Sequence, residues 1–266
     1  MKPVDVITGE SPIILAMPHS GLHVPEPIYA RLNHIGRELA DTDWHIDALY
    51  TGLIPNVTMV RANFHRYVID PNRSPSDESF YPGQNTTGLC PLTDFDGAEI
   101  YKMSQAPEPD EIEVRRLTYH SPYHEALSAE ITRIKSLHGI ALLYDCHSIR
   151  SHVPYLFEGA LPDFNIGTNS GKSCAPELQK TVSDICNQAK AYSSVENGRF
   201  KGGWTARHYG KPDTGVHAIQ MELSQTNYMQ ESAPWIYRKS AAEKLRSVLK
   251  HILQSLETQI LKGQIS

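Results

Sequence analysis

The stretch IALLYDCHSIRS, residues 140–151, joins an apolar run of strand length to a cluster of polar and reactive side chains. An unbroken apolar run is typical of a strand that is buried on both faces, as in the sheets of α/β proteins. Asp145 and His147 stand where this strand would end. Because ligands bind at strand ends in open α/β sheets, the stretch predicts both a central strand and the position of a site.

Runs of the same kind recur along the chain and alternate with segments of helical periodicity. Strands are predicted at 11–19, 57–62, 66–70, 140–146 and 216–224. Helices are predicted at 43–53, at 109–138 with a bend at Pro122, at 174–190, and from near Pro234 onward. Residues 71–108 are rich in Pro, Gly, Ser and Asn, and this length predicts a functional surface loop. The alternation favours an α/β fold with a mixed, mostly parallel central sheet and helices on both faces, in a single catalytic domain over residues 1–266.

The composition disfavours nucleic acid and membranes as partners and disfavours secretion. A formal net charge of −5 without a long basic block disfavours nucleic acid. No run approaches the roughly 20 apolar residues of a membrane span, and the N-terminus lacks a signal-peptide layout. The four cysteines form no CxxC pair, which predicts reduced thiols and a cytoplasmic location. Cys146 alternates with Asp145 and His147 and is expected to point into the core.

Three predicted strands end at reactive side chains, namely His19, His147 and Glu222. The segment DTDWHID, residues 41–47, adds carboxylates. Imidazole and carboxylate are suitable zinc ligands, and a hydrolytic zinc site keeps one position open for water. A further free carboxylate can accept and return the proton of that water. The pattern therefore predicts a metal-dependent hydrolase.

Each of these residues also has a purely structural interpretation. A histidine at a strand end can be a hydrogen-bonded core residue, and the carboxylates of 41–47 can cap a helix. Glu222 can be a solvated strand end. No HExxH motif is present, so the spacing alone leaves the metal site and these alternatives open.

Arginines form a second pattern. Arg66 and Arg73 lie in HRYVIDPNR with Asn72 beside the latter, and the Gly-rich segment 197–210 carries several more cations. The planar guanidinium binds carboxylates through two parallel hydrogen bonds. For these arginines a small anionic substrate competes with a solvated basic surface, whereas Lys201 and Lys211 are expected to be solvated.

Seven segments, in order along the chain, resemble the N-formylglutamate amidohydrolase family, also called N-formylglutamate deformylases. They are PHSG (18–21), DTDWHID (41–47), RYVIDPNR (66–73), YPGQNTTGLCP (81–91), DCHSIRS (145–151), NGRFKGGWTARHYG (197–210) and QMELSQTNYM (220–229). The resemblance extends from about residue 10 to residue 260. It implies hydrolysis of N-formyl-L-glutamate to L-glutamate and formate, as the last step of a histidine-degradation route. It also implies a fold similar to those of zinc carboxypeptidases and aspartoacylase, a phosphorylase/hydrolase-like architecture.

The resemblance to those enzymes implies a role for each candidate residue. His19 and His147 match the zinc histidines, and Glu222 matches the base. Arg66 matches the arginine that stabilises the oxyanion. Asn72 and Arg73 match the pair that binds a substrate carboxylate.

The third metal ligand departs from the pattern of those enzymes. They take it from an HxxE motif, but Leu22 stands three residues after His19. Asp43 is the preferred substitute, and Asp41 and Asp47 are the alternatives. Zinc is the expected ion, although such N/O sites accept other divalent metals.

Two further interactions are expected at this site: one with the second substrate carboxylate and one that orients a metal-binding histidine. The second substrate carboxylate is expected to meet Arg207, with Arg199 and Arg150 as alternatives. Asp145 is a candidate to orient a metal-binding imidazole. Two rival functions stay open: hydrolysis of another N-acyl amino acid by an aspartoacylase-like or carboxypeptidase-like enzyme, and non-catalytic binding of acidic amino acids.

Overall fold

A seven-stranded sheet forms the centre of the computed structural model, which describes residues 1–78, 83 and 85–265. The strands are β1 (Val4–Ile7), β2 (Ile13–Met17), β3 (Thr58–Ala62), β4 (Ala141–Ile149), β5 (Phe164–Gly167), β6 (Ser194–Glu196) and β7 (Val216–Ser224). Their order across the sheet is β1-β3-β2-β4-β7-β5-β6. Strand β1 pairs antiparallel with β3, and β5 pairs antiparallel with β7, while the other neighbours are parallel. The predicted mixed, mostly parallel sheet is confirmed.

Helices cover both faces of this sheet. They are α1 (Glu26–Tyr29), α2 (His34–Arg37), α3 (Ile46–Tyr50), α4 (Pro109–Arg115), α5 (Ser121–His138), α6 (Pro176–Gln188), α7 (Trp204–Tyr209) and α8 (Lys239–Leu261). On one face, α3, α6 and α8 pack against alternate residues of the strands, including Leu142, Tyr144 and Cys146. On the other face, α5 packs against the intervening residues, including Leu143. The strands are therefore apolar on both sides, which explains why they read as continuous hydrophobic runs.

The pairing of β4 with β7 places the candidate site residues side by side. His147 is opposite Glu222, and Asp145 is opposite Gln220. Cys146 points to the opposite face, where its thiol is buried in the core as expected. The carboxyl ends of these parallel strands thus gather reactive side chains at one edge of the sheet.

One predicted strand is wrong. Residues 66–68 form a turn and residues 69–70 have no regular structure, although Tyr67, Val68 and Ile69 are fully buried. The carbonyls of Tyr67 and Val68 accept hydrogen bonds from Nη1 of Arg115, at 3.4 and 2.9 Å. A side chain distant in the sequence therefore replaces the sheet ladder that the β-branched pattern suggested.

Other boundaries also differ from the prediction. The helix predicted at 43–53 is confined to Ile46–Tyr50, and the last helix begins at Lys239 rather than near Pro234. The predicted helix over 109–138 contains a π-helical turn, Arg116–His120, directly before the proline at 122. Proline has no N–H for the regular helical hydrogen bond, so a bend was expected at this point.

The predicted surface loop contains no helix or strand in the parts that the structure describes, 71–78, 83 and 85–108. Residues 79–82 and 84, which include part of the segment YPGQNTTGLCP, lie outside the described residues. Among the described helices, none has both the length and the apolar character needed to cross a membrane.

Candidate metal and substrate site

Three buried side chains converge at the carboxyl ends of β2 and β4. His19, Asp43 and His147 each offer one ligand atom, and these atoms all lie within 4.8 Å of one another. Asp43 Oδ2 is 3.6 Å from Nδ1 of His19 and 3.1 Å from Nδ1 of His147. The backbone N–H of Asp43 donates to the carbonyl of His19 at 3.1 Å and so ties the two segments together. The sequence-predicted set of two histidines and one aspartate is brought into one cluster.

The tautomer of His19 follows from its neighbours. Its Nδ1 lies 3.3 Å from Nη1 of Arg66, and because a guanidinium can only donate, this nitrogen carries a lone pair. Its Nε2 therefore carries the proton and donates to Asp70 Oδ1 at 2.7 Å. The lone pair of His19 is on the side of Asp43, as a metal ligand requires.

His147 has a similar arrangement. Its Nδ1 faces Asp43, and Oδ2 of Asp145 lies 3.0 Å from its Nε2. Burial alone would lower the pKa of His147, but the carboxylates of Asp145 and Asp43 raise it well above its usual value. The raised pKa favours a proton on Nδ1, which faces Asp43, and a metal ion bound at this nitrogen would have to displace that proton.

Asp43 is ionised in this cluster. Burial opposes the charge, but the two neighbouring histidines, above all through the hydrogen bond with His147, bring the pKa of its carboxyl to about 2. The alternative ligands lie elsewhere: Asp41 accepts from the hydroxyl of Tyr67, and Asp47 pairs with Arg61 near the surface. Asp43 is thus the aspartate of 41–47 that the geometry favours.

This donor set fits a divalent cation. Two imidazole nitrogens and one carboxylate oxygen are the ligands that catalytic zinc prefers. The outer nitrogens of His19 and His147 each face a buried carboxylate, Asp70 and Asp145, which is the common arrangement around metal-binding histidines.

Glu222 lies on the strand beside His147. Its side chain is buried, and its Oε2 accepts a hydrogen bond from Nε2 of Gln220 at 3.2 Å. Burial raises its pKa above the usual range, with a further contribution from Asp43 that His147 partly offsets. A carboxyl group poised in this way can exchange a proton near neutral pH.

Arg66 is held against the metal cluster. Its Nη2 donates to Asp70 Oδ2 at 2.5 Å, and its guanidinium stacks 4.7 Å from the ring of Phe95. Asp70 thus bonds both Arg66 and His19. Sequence reasoning did not assign Asp70 a role, although it stands within the segment RYVIDPNR.

Asn72 and Arg73 follow directly in a turn. Asn72 Oδ1 accepts from the backbone N–H of Thr205 at 2.9 Å, and its Nδ2 lies 3.2 Å from Nε2 of His147. A Cβ at Gly203 would come within 2.5 Å of the Asn72 amide, so only glycine allows this close packing. Nε and Nη2 of Arg73 donate to the backbone carbonyl and the hydroxyl of Thr87.

A cavity joins these groups, and its lining includes an arginine from the segment 197–210. The lining consists of His19, Arg66, Asn72, Arg73, Asn85, Thr86, Thr87, Phe95, His147, Ser148, Ile149, Leu156, Arg199, Phe200, Gly203, Gln220 and Glu222. Arg199 is part of it, whereas Arg207 and Arg150 are not. Arg207 donates to the carbonyl of Gly202, and Arg150 pairs with Asp96. The geometry therefore favours Arg199 over the arginine preferred from sequence.

Comparisons with known proteins bear on this site. The model of the family described as N-formylglutamate amidohydrolase matches residues 11–229. The chain belongs to the N-formylglutamate amidohydrolase family. A family member named N-formylglutamate deformylase, from Pseudomonas aeruginosa, is 45% identical over 249 residues, which are 93% of each chain. The resemblance inferred from the seven segments is confirmed.

Solved structures support the fold of this N-formylglutamate amidohydrolase family member. The N-formylglutamate amidohydrolase of Ralstonia eutropha superposes with a TM-score of 0.82 at 24% identity, over 99% of this chain and 100% of that one. The gene product Atu2144 of Agrobacterium tumefaciens gives a TM-score of 0.73 at 17% identity, over 98% of this chain and 96% of that one. The arrangement of the sheet and its helices is therefore shared with solved structures across nearly the whole chain.

Proposed function

We propose that this chain hydrolyses the formyl amide of N-formyl-L-glutamate to L-glutamate and formate, with a divalent metal ion at His19, Asp43 and His147. One observation carries the proposal: a buried glutamate, Glu222, stands beside the His/Asp/His cluster in a cavity that several arginines line. The relative from Pseudomonas aeruginosa bears the name of this activity at 45% identity.

The metal ion would be held by Nδ1 of His19, Nδ1 of His147 and a carboxylate oxygen of Asp43. Zinc is the expected ion, given two imidazoles and one carboxylate. When bound, it would polarise the formyl carbonyl and make water more acidic. Asp70 and Asp145 would hold the outer nitrogens of the two histidines and fix the direction of their lone pairs.

Glu222 would move the proton during hydrolysis. Its carboxylate accepts a proton from the water as the water oxygen attacks the formyl carbon. It then returns that proton to the glutamate nitrogen as the C–N bond breaks, which gives formic acid and a neutral amine. The acid proton passes to the amine, so that formate and the ammonium form of glutamate leave. A pKa raised by burial suits both transfers, because the group must gain and lose the proton in each cycle.

The arginines would bind the charged parts of the reactants. Arg66, beside His19, is placed to stabilise the negative charge that develops on the formyl oxygen. Asn72 and Arg73 would bind one substrate carboxylate, and Arg199 the other. A formyl amide without carboxylates should be a poor substrate, because it cannot form ion pairs with these arginines.

The biological setting is inferred from the same activity. Formation of glutamate and formate fits the last step of a histidine-degradation route. A cytoplasmic location stays a prediction, consistent with the four free, buried cysteines.

The direct test is formate release from N-formyl-L-glutamate, with metal content measured in the same preparation. N-acetyl-L-glutamate and a glutamate-terminated peptide serve as competing substrates. Preference for either would replace the proposal by hydrolysis of another N-acyl amino acid. Release that is insensitive to complete metal removal would contradict the metal assignment.

Glu222→Gln tests the assignment of the base. The substitution keeps shape and polarity but removes the proton acceptor, so turnover should fall by at least about 100-fold. Metal content should stay at the wild-type level, whereas His147→Ala should lose metal. Wild-type turnover in Glu222→Gln would show that another group takes the proton.

A further inference from the structure

Two buried histidines outside the cavity contact the segment that carries Asn72. Nε2 of His120 lies 3.1 Å from the carbonyl oxygen of Arg73, and Nε2 of His124 lies 2.8 Å from the carbonyl oxygen of Pro71. The two carbonyls flank Asn72 on either side in the sequence. Neither histidine lines the cavity.

The protonation of both rings is fixed by these contacts. A carbonyl can only accept, so each Nε2 carries a hydrogen. Nδ1 of His124 lies 3.1 Å from the hydroxyl of Tyr209, which also lies 3.3 Å from the backbone carbonyl of His124. Burial lowers the pKa of both His120 and His124, which keeps the rings neutral.

The imidazole rings of His120 and His124 lie side by side on one continuous helical segment. His120 ends the π-helical turn and His124 follows on the same face four residues later, with their ring centroids 4.4 Å apart. Trp204 packs edge-on against His124 at 4.5 Å, in the helix that begins beside Asn72. π-helical turns occur frequently at functional sites.

We propose that His120 and His124 are positioning residues that fix the backbone of residues 71–73 and thereby the substrate-binding geometry of Asn72 and Arg73. This inference rests on the proposed function. The segment has no sheet or helix ladder of its own, so its carbonyls depend on side-chain donors for hydrogen bonds. Two hydrogen bonds on either side of Asn72 restrict the rotation of its peptide units, which preorganises the site for a carboxylate.

The test compares leucine and glutamine at each position. Leucine keeps the volume but removes the donor, while the terminal amide of glutamine can replace an Nε2–H donor. His124→Leu and His120→Leu should each raise KM for N-formyl-L-glutamate by about tenfold with a smaller change in kcat, since a lost buried hydrogen bond is worth about that factor. The glutamine variants should recover most of the affinity.

His138→Leu is the matched control, because His138 lies on the same helix and also bonds a backbone carbonyl, that of Glu10, at 2.6 Å. It should leave KM unchanged. Binding of the product L-glutamate, measured by calorimetry, provides a readout without turnover and should weaken in parallel with KM.

The outcomes separate the two proposals. If the wild type neither hydrolyses N-formyl-L-glutamate nor binds L-glutamate, the proposed function fails and this inference fails with it. If the wild type is active but the leucine variants keep its KM, or glutamine rescues nothing, only the positioning role is overturned.

Discussion

Gln220 connects the proposed base to the backbone of a neighbouring segment. Its Nε2 donates to Glu222, and its Oε1 accepts from the N–H of Gly203 at 2.7 Å. Gln220 begins the segment QMELSQTNYM, but no role was predicted for it, because a glutamine has no titratable or metal-binding group that would mark it. Its role follows from the structure, in which the side chains of Gln220 and Glu222 lie on the same face of β7 and form a hydrogen bond.

Gln220→Met should shift the pH dependence of catalysis. Removal of the amide donor destabilises the ionised form of Glu222, so its pKa should rise further above its usual range. The acid limb of kcat/KM should then move to higher pH, with kcat at neutral pH reduced by roughly tenfold. Gln230→Met is the control, because the side chain of this glutamine bonds only residues 232–233 in the described structure. If the acid limb of the pH profile does not move, Gln220 does not influence the pKa of Glu222.

At the scale of elements, a buried run of residues in the sequence was not always a strand in the structure. The buried apolar runs of β2, β4 and β7 were predicted because a strand inside a layered sheet needs apolar residues on both faces. The run at 66–70 is also buried at Tyr67, Val68 and Ile69. The carbonyls of Tyr67 and Val68, however, bond the side chain of Arg115 rather than a strand. Since that side chain is about 48 positions away, no local pattern could reveal it.

Arg115→Met should therefore destabilise the protein. Arg115 is buried, and its guanidinium bonds the carbonyls of Tyr67 and Val68 and pairs with Glu111. Loss of the guanidinium leaves these buried carbonyls with weaker donors, the hydroxyl of Tyr101 for Tyr67 and the thiol of Cys90 for Val68. The free energy of unfolding should fall by about 2–4 kcal/mol. Chemical denaturation is the measurement.

The adjacent Arg116 provides the control. Its described partners are Glu113 at the surface and the hydroxyl of Ser121. Arg116→Met should change the free energy of unfolding by less than about 1 kcal/mol. Equal losses in the two variants would mean that the conformation of residues 66–70 does not depend on Arg115.

At the scale of the whole molecule, the sheet order explains which site residues could be predicted. Strands β2, β4 and β7 are neighbours, so the residues at their carboxyl ends meet although the chain separates them widely. The choice between Arg199 and Arg207 could not be made in this way. It depends on the path of the segment 197–210, which the hydrophobic pattern does not determine.

Metal binding at His19, Asp43 and His147 should raise the free energy of unfolding of the whole protein. An ion that binds only the folded state, at about 100 times its Kd, adds roughly 2.7 kcal/mol to the free energy of unfolding. For a protein of this size, Tm should rise by at least about 5 °C. Thermal unfolding with zinc and with a chelator gives the difference directly.

The size of this shift should depend on pH in a defined direction. Without metal, protonated His147 stabilises the fold below its unfolded pKa of 6.5, and this contribution is lost as pH rises through its raised folded pKa. The same proton competes with the metal at Nδ1. The gap in Tm between the zinc-loaded and chelated protein should thus widen from about pH 6 to about pH 8. Asp43→Asn should abolish the gap, and a gap that narrows with pH, or persists in Asp43→Asn, would place the metal elsewhere.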